Sequence, residues 1–442
     1  MMMNDTVTVI GGGFAGVEAA MQLAKRGIKV RLFEMKPHRF SPAHKSEDLC
    51  EVVCSNSFKS LLPASAAGLL KNEMELLGSV CVKCAKQTAV PAGGALAVDR
   101  DLFSAAVTAE IEKEPLIEIV REEITKIPDE GVVIIAAGPL ASDALSEEIK
   151  RLCGGGLSFF DAAAPIITAE SVDMSRAFTA SRYDKGGEDD YINCPMNKAE
   201  YEAFYNELVN AESVVLHDFE KKNGVYEGCM PIEIMAKRGD NTIRFGPMKP
   251  VGLVDPATGH RPWAVLQLRK ENGAGTLLNL VGFQTNLKFP EQKRVFGMIP
   301  ALANAEYVRY GVMHRNSFIN APRVLTERFN MESQPRIFFA GQITGVEGYM
   351  ESASSGITAG INAARFIKNE PAFVPPADTL HGAFCRYVSD KTVKDYQPMG
   401  AAIGLLPPLD EKIRDKRQRY GMIADRALNS LRDYIKENEK EV

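Results

Sequence analysis

No stretch of this 442-residue chain stays apolar for the roughly 20 residues that a bilayer-spanning helix needs. The N-terminus has no positive region ahead of an apolar core, so no secretory leader is expected. Basic residues are not in excess: 52 Lys and Arg face 57 Asp and Glu, a formal net charge of -5. That total lends no support to a nucleic-acid binder, although a local basic patch is compatible with an acidic whole. Histidine is scarce, at 6 residues, and no H-x-H or H-x-x-x-H pair occurs, so no histidine metal cluster is expected. Internal repeats and low-complexity tracts are lacking. What is present is an ordinary globular composition, 45% hydrophobic and 25% charged, over a length that predicts two or three domains.

The 8 cysteines, Cys50, Cys54, Cys81, Cys84, Cys153, Cys194, Cys229 and Cys385, are spread through the chain. With no leader, a reducing cytoplasm is the expected compartment, and these are thiols, metal ligands or catalytic groups rather than disulfides. Cys81 and Cys84 form C-x-x-C, which suggests a redox pair or half a zinc site. The C-x-x-x-C spacing of Cys50 and Cys54 is not the usual tight knuckle, which argues against a four-thiol metal site. Cys54 stands in "EVVCSNSFKS", beside Ser55, Asn56 and Ser57. A structural thiol usually lies in apolar sequence, so this setting points to chemistry.

The N-terminal stretch "TVTVIGGGFAGVEAAMQLAKRGIKVRLFEM" reads as strand, glycine turn, helix, strand. Gly11, Gly13 and Gly16 fit G-x-G-x-x-G, with Gly12, Phe14 and Ala15 between them. Gly11 permits the tight turn, Gly13 lets backbone approach a pyrophosphate, and Gly16 allows close helix–strand packing. The helix N-terminus offers N–H groups to phosphate. Glu34 closes the second strand, 23 residues after Gly11, where it can accept from ribose hydroxyls. Near the other end, "RIFFAGQITGVEGYMESASSGITAGINAARFI" reads as a strand, a turn at Gly341 and Gln342, and a small-residue helix from near Ser352. A chain that returns to set another strand and helix end against the nucleotide predicts FAD rather than NAD in this pocket. "GVVIIAAGP" at 131–139 supplies a further short strand.

The middle of the chain mixes turns, basic residues and aromatics. "YEGCMPIEIMAKRGDNTIRFGPMKPVGL" holds Cys229 in a Gly/Pro turn, followed by Lys237, Arg238, Arg244 and Lys249. "LVGFQTNLKFPEQKRVFGMIP", "YGVMHRNSFIN" and "PAGGALAVDRDLF" complete a set of ordered blocks. With "EVVCSNSFKS" and "AGQITGVEGYMESASSGITAG", they make the chain closely resemble the folate- and FAD-dependent tRNA (uracil-5-)-methyltransferases, the TrmFO or small Gid family, over nearly its whole length.

The resemblance implies methylation of C5 of a uridine in tRNA, in the T loop. The carbon would come from 5,10-methylenetetrahydrofolate, and the electrons from FAD reduced by NADPH or NADH. Uracil C5 is a poor nucleophile, and a thiolate adding to C6 activates it. Cys54 and Cys229 match the family's functional pair. Cys229, in its turn beside the basic run, is favoured as the nucleophile, and Cys54 as the thiol at the flavin face. Residues 386–409 resemble the family's folate-side segment and read as a loop. The same chemistry on ribosomal RNA, and an RNA-binding flavoprotein without turnover, are the rival readings. The expected fold is α/β: a discontinuous glutathione-reductase-like FAD-binding domain, 1–155 and 331–442, with an inserted α/β substrate domain at 156–330. No metal, membrane or obligate protein partner is expected.

Overall fold

The computed structural model describes residues 6–155, 157–184, 190–214, 230–394 and 396–438. Five parallel strands form one sheet, in the order Ile337–Phe339, Val133–Ile135, Thr6–Ile10, Lys29–Phe33, Ile117–Val120. The register runs Thr8↔Val133 and Ile10↔Ile135 on one side of the first strand and Thr6↔Lys29 to Ile10↔Phe33 on the other. Strands of such a sheet are covered on both faces and read as nearly continuous apolar runs. "VII" at 133–135 and "IFF" at 337–339 are fully buried on that account. The last of these comes from the far end of the sequence and pairs with Val133–Ile135.

Two helices lie together against this sheet. Phe14–Lys25 follows the glycine turn, and Tyr349–Ile367 follows the last strand. Their contact explains the small residues of "SASSGITAG". A Cβ on Gly356 would sit 2.1 Å from the carbonyl oxygen of Ala15, and one on Gly360 would sit 2.6 Å from that of Ala19. Backbone touches backbone there. Gly356→Ala is therefore expected to destabilise the protein by about 1–3 kcal/mol, the usual cost of overpacking a core, read as a lower thermal midpoint.

A second sheet has six strands, all antiparallel, in the order Phe178–Thr179, Tyr191–Met196, Ala264–Lys270, Leu277–Leu280, Ile166–Thr168, Tyr307–Arg309. Phe204, Phe283 and Phe296 are buried in the cluster between it and its helices. Asn197 opens the helix Lys198–Asn210 with a reciprocal capping box to Glu200. The two passages of the chain beside this sheet, Leu157–Ala162 and Met313–Phe318, pair antiparallel with each other. A three-stranded sheet, Ser57–Ser60, Ala95–Val98 and Ala89–Val90, carries the segment after Cys54. Among the described residues no helix is long and apolar enough to cross a membrane.

Element boundaries differ from the sequence reading in three places. The late helix begins at Tyr349 instead of near Ser352, because Gly348, at φ +119, makes the turn that starts it. The stretch "LDEKIRDKRQRYGMIADRALNSL", from Leu409, reads as an amphipathic helix, and the helix found there runs Lys416–Asn438. The segment read as a loop from residue 386 begins inside a helix, Leu380–Ser389, before the Gly/Pro-rich stretch takes over.

Candidate active site

The glycine turn shapes one wall of a cleft. Gly11 has φ +105, and a Cβ on it would lie 2.5 Å from the Ala136 carbonyl oxygen. A Cβ on Gly16 would lie 1.8 Å from the Gly11 carbonyl oxygen, so the helix seats directly on the turn. Gly13 differs from both, since a Cβ there would meet nothing within 4 Å. It caps the helix Phe14–Lys25 without any side-chain bond, leaving the first N–H groups open to the cleft. Gly11, Gly12, Gly13, Phe14, Ala15, Glu34, Gly341 and Gln342 all line this space, about 150 Å³ and open on one side. Gly16 lies behind them.

Glu34 is buried at the strand end. One carboxylate oxygen accepts from the Gly12 N–H at 3.0 Å and the other from the Lys36 N–H at 3.0 Å. Each oxygen retains capacity for a further donor. Across the cleft, the Ser352 hydroxyl is buried with no partner among the described residues. An open helix end, an acid at the strand terminus and an unsatisfied hydroxyl fit a dinucleotide such as FAD. Gly13→Val is thus expected to fold yet to purify colourless, because the valine occupies only the ligand's space. Flavin released on denaturation, compared with wild type, checks this.

Cys54 opens on an adjoining cleft of about 350 Å³. Val53, Pro139, Leu140, Gln342 and Tyr349 line both spaces, so the two clefts share a wall. The loop bearing Cys54 is held from three directions. Arg100 donates to the carbonyl oxygens of Val52 and, at 2.7 Å, Cys54, while pairing with the buried carboxylate of Glu271. Arg269 donates to Asn56 Oδ1 at 2.8 and 3.0 Å and to Ser55 Oγ at 3.0 Å. Asn56 in turn donates to the carbonyls of Val98 and Lys270. Arg269 and Lys270 end a strand of the six-stranded antiparallel sheet and Glu271 follows it, so the end of that strand clamps the loop that carries Cys54.

The third hold is Tyr349. Its oxygen accepts from the backbone N–H of Val53 at 2.9 Å and of Cys54 at 2.8 Å, and the Cys54 sulfur lies 2.9 Å from it. Burial, reinforced by the nearby Cys54, pushes the phenol well above its ordinary pKa. Tyr349 is therefore protonated. Once Cys54 ionises, the phenol hydrogen is the one left in the sulfur–oxygen contact, and it stabilises the thiolate. Burial works against the charge on Arg100, yet Glu271 beside it holds the guanidinium pKa above its usual value. A fixed positive charge thus stands close to the thiol.

The family described as GIDA, Glucose inhibited division protein A, matches residues 6–371. A protein of Acetivibrio thermocellus named methylenetetrahydrofolate--tRNA-(uracil-5-)-methyltransferase TrmFO is 58% identical over 434 residues, 98% of this chain and 99% of its own. Proteins of the same name from Citrifermentans bemidjiense and Lactobacillus gasseri are 56% and 55% identical, over 98% and 99% of this chain and 100% of their own lengths. The chain belongs to the TrmFO family. Among solved structures, Aquifex aeolicus GidA in its form II crystal resembles it with a TM-score of 0.68 at 16% identity, over 98% of this chain and 77% of that one. At that identity the likeness speaks for the fold, a glutathione-reductase-like FAD-binding α/β architecture.

Of the two cysteines expected as the functional pair, Cys54 is in the cleft just described, and Cys229 lies outside the described residues. Three residues beyond Cys229 in the sequence, the Ile232 N–H donates to the carbonyl of Gln284 at 2.7 Å. Gln284 lines the Cys54 cleft. The other thiols belong to the core. Cys81 and Cys84 share the helix Val80–Gln87, and Cys81 Sγ faces Cys50 Sγ at 3.7 Å. Burial raises the Cys81 thiol and pushes Cys84 up to about 12, which makes both inert at neutral pH.

His44, in "SPAHKSEDLCEVVC", reads from the sequence as a solvated loop residue more readily than as a site residue, but the folded chain sets it on the nucleotide cleft. Its Nδ1 lies 2.6 Å from Ser41 Oγ, and burial, with Lys36 nearby, lowers its pKa, so the ring is neutral. Tyr349, Arg100, Arg269 and Glu271 were not singled out by the sequence. Tyr349 stands within a quoted family block, next to a glycine and ahead of a helix, which is the one local signal available. Arg100 likewise stands within a quoted block, "PAGGALAVDRDLF", whereas Arg269 and Glu271 carry no such signal, because their partners are distant in the chain.

Proposed function

We propose that the protein methylates C5 of a uridine in tRNA, with 5,10-methylenetetrahydrofolate as carbon donor. The observation that carries this is full-length kinship to TrmFO proteins joined to a polar thiol, Cys54, on a cleft sharing a wall with the dinucleotide cleft. Bound FAD, reduced by NADPH or NADH, would supply the electrons that turn a one-carbon unit into a methyl group. The glycine turn, Glu34 and Ser352 would hold its pyrophosphate, ribose and flavin side.

The thiols have separate tasks in this reading. Cys229 adds to uracil C6 and is expelled at the end. Cys54 acts as the base, its sulfur against the Tyr349 phenol, and takes the C5 proton beside the flavin. Residues 156–330 form the substrate domain in this account, and 1–155 with 331–442 the flavin domain. The T loop is the proposed target, the cytoplasm the proposed compartment, and no protein partner is required.

Nucleoside mass spectrometry of tRNA and ribosomal RNA from a strain lacking the protein separates the readings. Loss of 5-methyluridine from tRNA alone is expected. Loss from ribosomal RNA alone would redirect the substrate, and no loss from either would leave an RNA-binding flavoprotein.

A further inference from the structure

Beside the Cys54 cleft stands a surface that the chemistry above does not use. Phe245 ends the short helix Thr242–Phe245 and is 70% exposed. Single exposed apolar residues are ordinary. This one is set apart by what lies behind it. The Arg244 guanidinium is 5.4 Å from its ring and 3.8 Å above the ring of Trp263. Arg244 also donates to the Trp263 carbonyl at 2.9 Å, which fixes the guanidinium in place. Lys198 approaches the outer part of the same indole, 5.5 Å from its centre. Lys237 and Arg238, on the neighbouring turn, are exposed. An acidic chain thus concentrates cations around two aromatic rings.

The location ties this surface to the cleft. Pro247, two residues after Phe245, packs against Gly282 so closely that a Cβ there would lie 2.5 Å from the proline ring. Gly282 lines the Cys54 cleft. Unpaired RNA bases stack on aromatic rings and guanidinium planes, while cations follow the phosphates. We infer that Phe245, backed by the Arg244–Trp263 stack, is a platform on which an unpaired base of the tRNA substrate stacks as its target uridine enters the cleft. This rests on the tRNA reading above.

The test uses flavin-loaded protein and an unmodified tRNA transcript. Trp263 is the only tryptophan in the chain, so its emission reports on this surface directly. Phe245→Ala should raise the KM for tRNA by about 5- to 150-fold, the effect of losing one stacked base, with kcat retained at saturating tRNA. The tRNA concentration that half-quenches Trp263 should rise by the same factor. Phe245→Tyr, which keeps a ring face, should restore both values. The platform is overturned if Phe245→Ala binds and turns over like wild type, or if Phe245→Tyr is as weak as Phe245→Ala. A wild type that quenches in a Phe245-dependent way but methylates nothing would refute the methyltransferase reading and leave the platform standing.

Discussion

Cys54→Ala protein is expected to keep its flavin and to lose turnover by about 100- to 10,000-fold, the span associated with removing a positioned proton-transfer group. The loop survives the change because its holds are made elsewhere. Arg100 grips the carbonyls of Val52 and Cys54, Arg269 grips Ser55 and Asn56, and Tyr349 binds the backbone N–H groups of Val53 and Cys54. None of these needs the sulfur. Cys229→Ala should be at least as inactive, for a different reason. With 5-fluorouridine tRNA, wild type should form a covalent adduct, since fluorine at C5 cannot leave as a proton does. Cys54→Ala should still form it, and Cys229→Ala should not. Peptide mapping of the trapped species checks the roles, and RNA found on Cys54 would reverse them.

The second large effect is on stability. Glu271 is 2% exposed at its side chain and Arg100 14%, so their pair is buried. A well-packed apolar pair in their place could be as stable, but a broken pair is not. Arg100→Met leaves the Glu271 carboxylate buried without its counter-charge and strands the carbonyls of Val52 and Cys54. The expected cost is about 3–5 kcal/mol. A chain of this size need not unfold in one step, so the thermal midpoint and flavin release should be followed together. Because Arg100 grips the loop that carries Cys54 and lines no part of the nucleotide cleft, methylation should fall further than flavin content. Equal loss of both would place the pair in general folding rather than in the thiol loop.

The two halves of the site differ in how far the sequence exposes them. The nucleotide cleft is local: strand, glycines, helix and Glu34 follow one another within about thirty residues, and each has a geometric duty that only certain residues meet. The parallel sheet that closes it was legible from short apolar runs at 6–10, 131–139 and 336–340. The thiol cleft is the opposite case. Cys54 meets Arg100 across 46 positions and Tyr349 across 295, while Asn56 meets Arg269 across 213. No periodicity announces such partners, because sheet order decides which strand ends converge. Arg269 stands near the end of the strand Ala264–Lys270 and Glu271 just after it, in a stretch with no motif of its own. For the same reason His44, in a polar stretch rich in turns, looks solvated until the fold closes over it. Gly348 shifted the start of a helix by a few residues and so hid Tyr349, the residue that touches the thiol, at a boundary rather than inside an element.

The central claim is transfer of a folate-borne carbon to tRNA at the Cys54 cleft. Its most direct test is to incubate purified, flavin-loaded protein with unmodified tRNA, NADPH or NADH, and 5,10-methylenetetrahydrofolate labelled at the methylene carbon. Nucleoside mass spectrometry then locates the label. The account predicts labelled 5-methyluridine in tRNA with wild type, and almost none with Cys54→Ala at equal flavin content. It would be contradicted by wild type that leaves the label out of tRNA, or by full labelling with the Cys54→Ala, Cys229→Ala double variant.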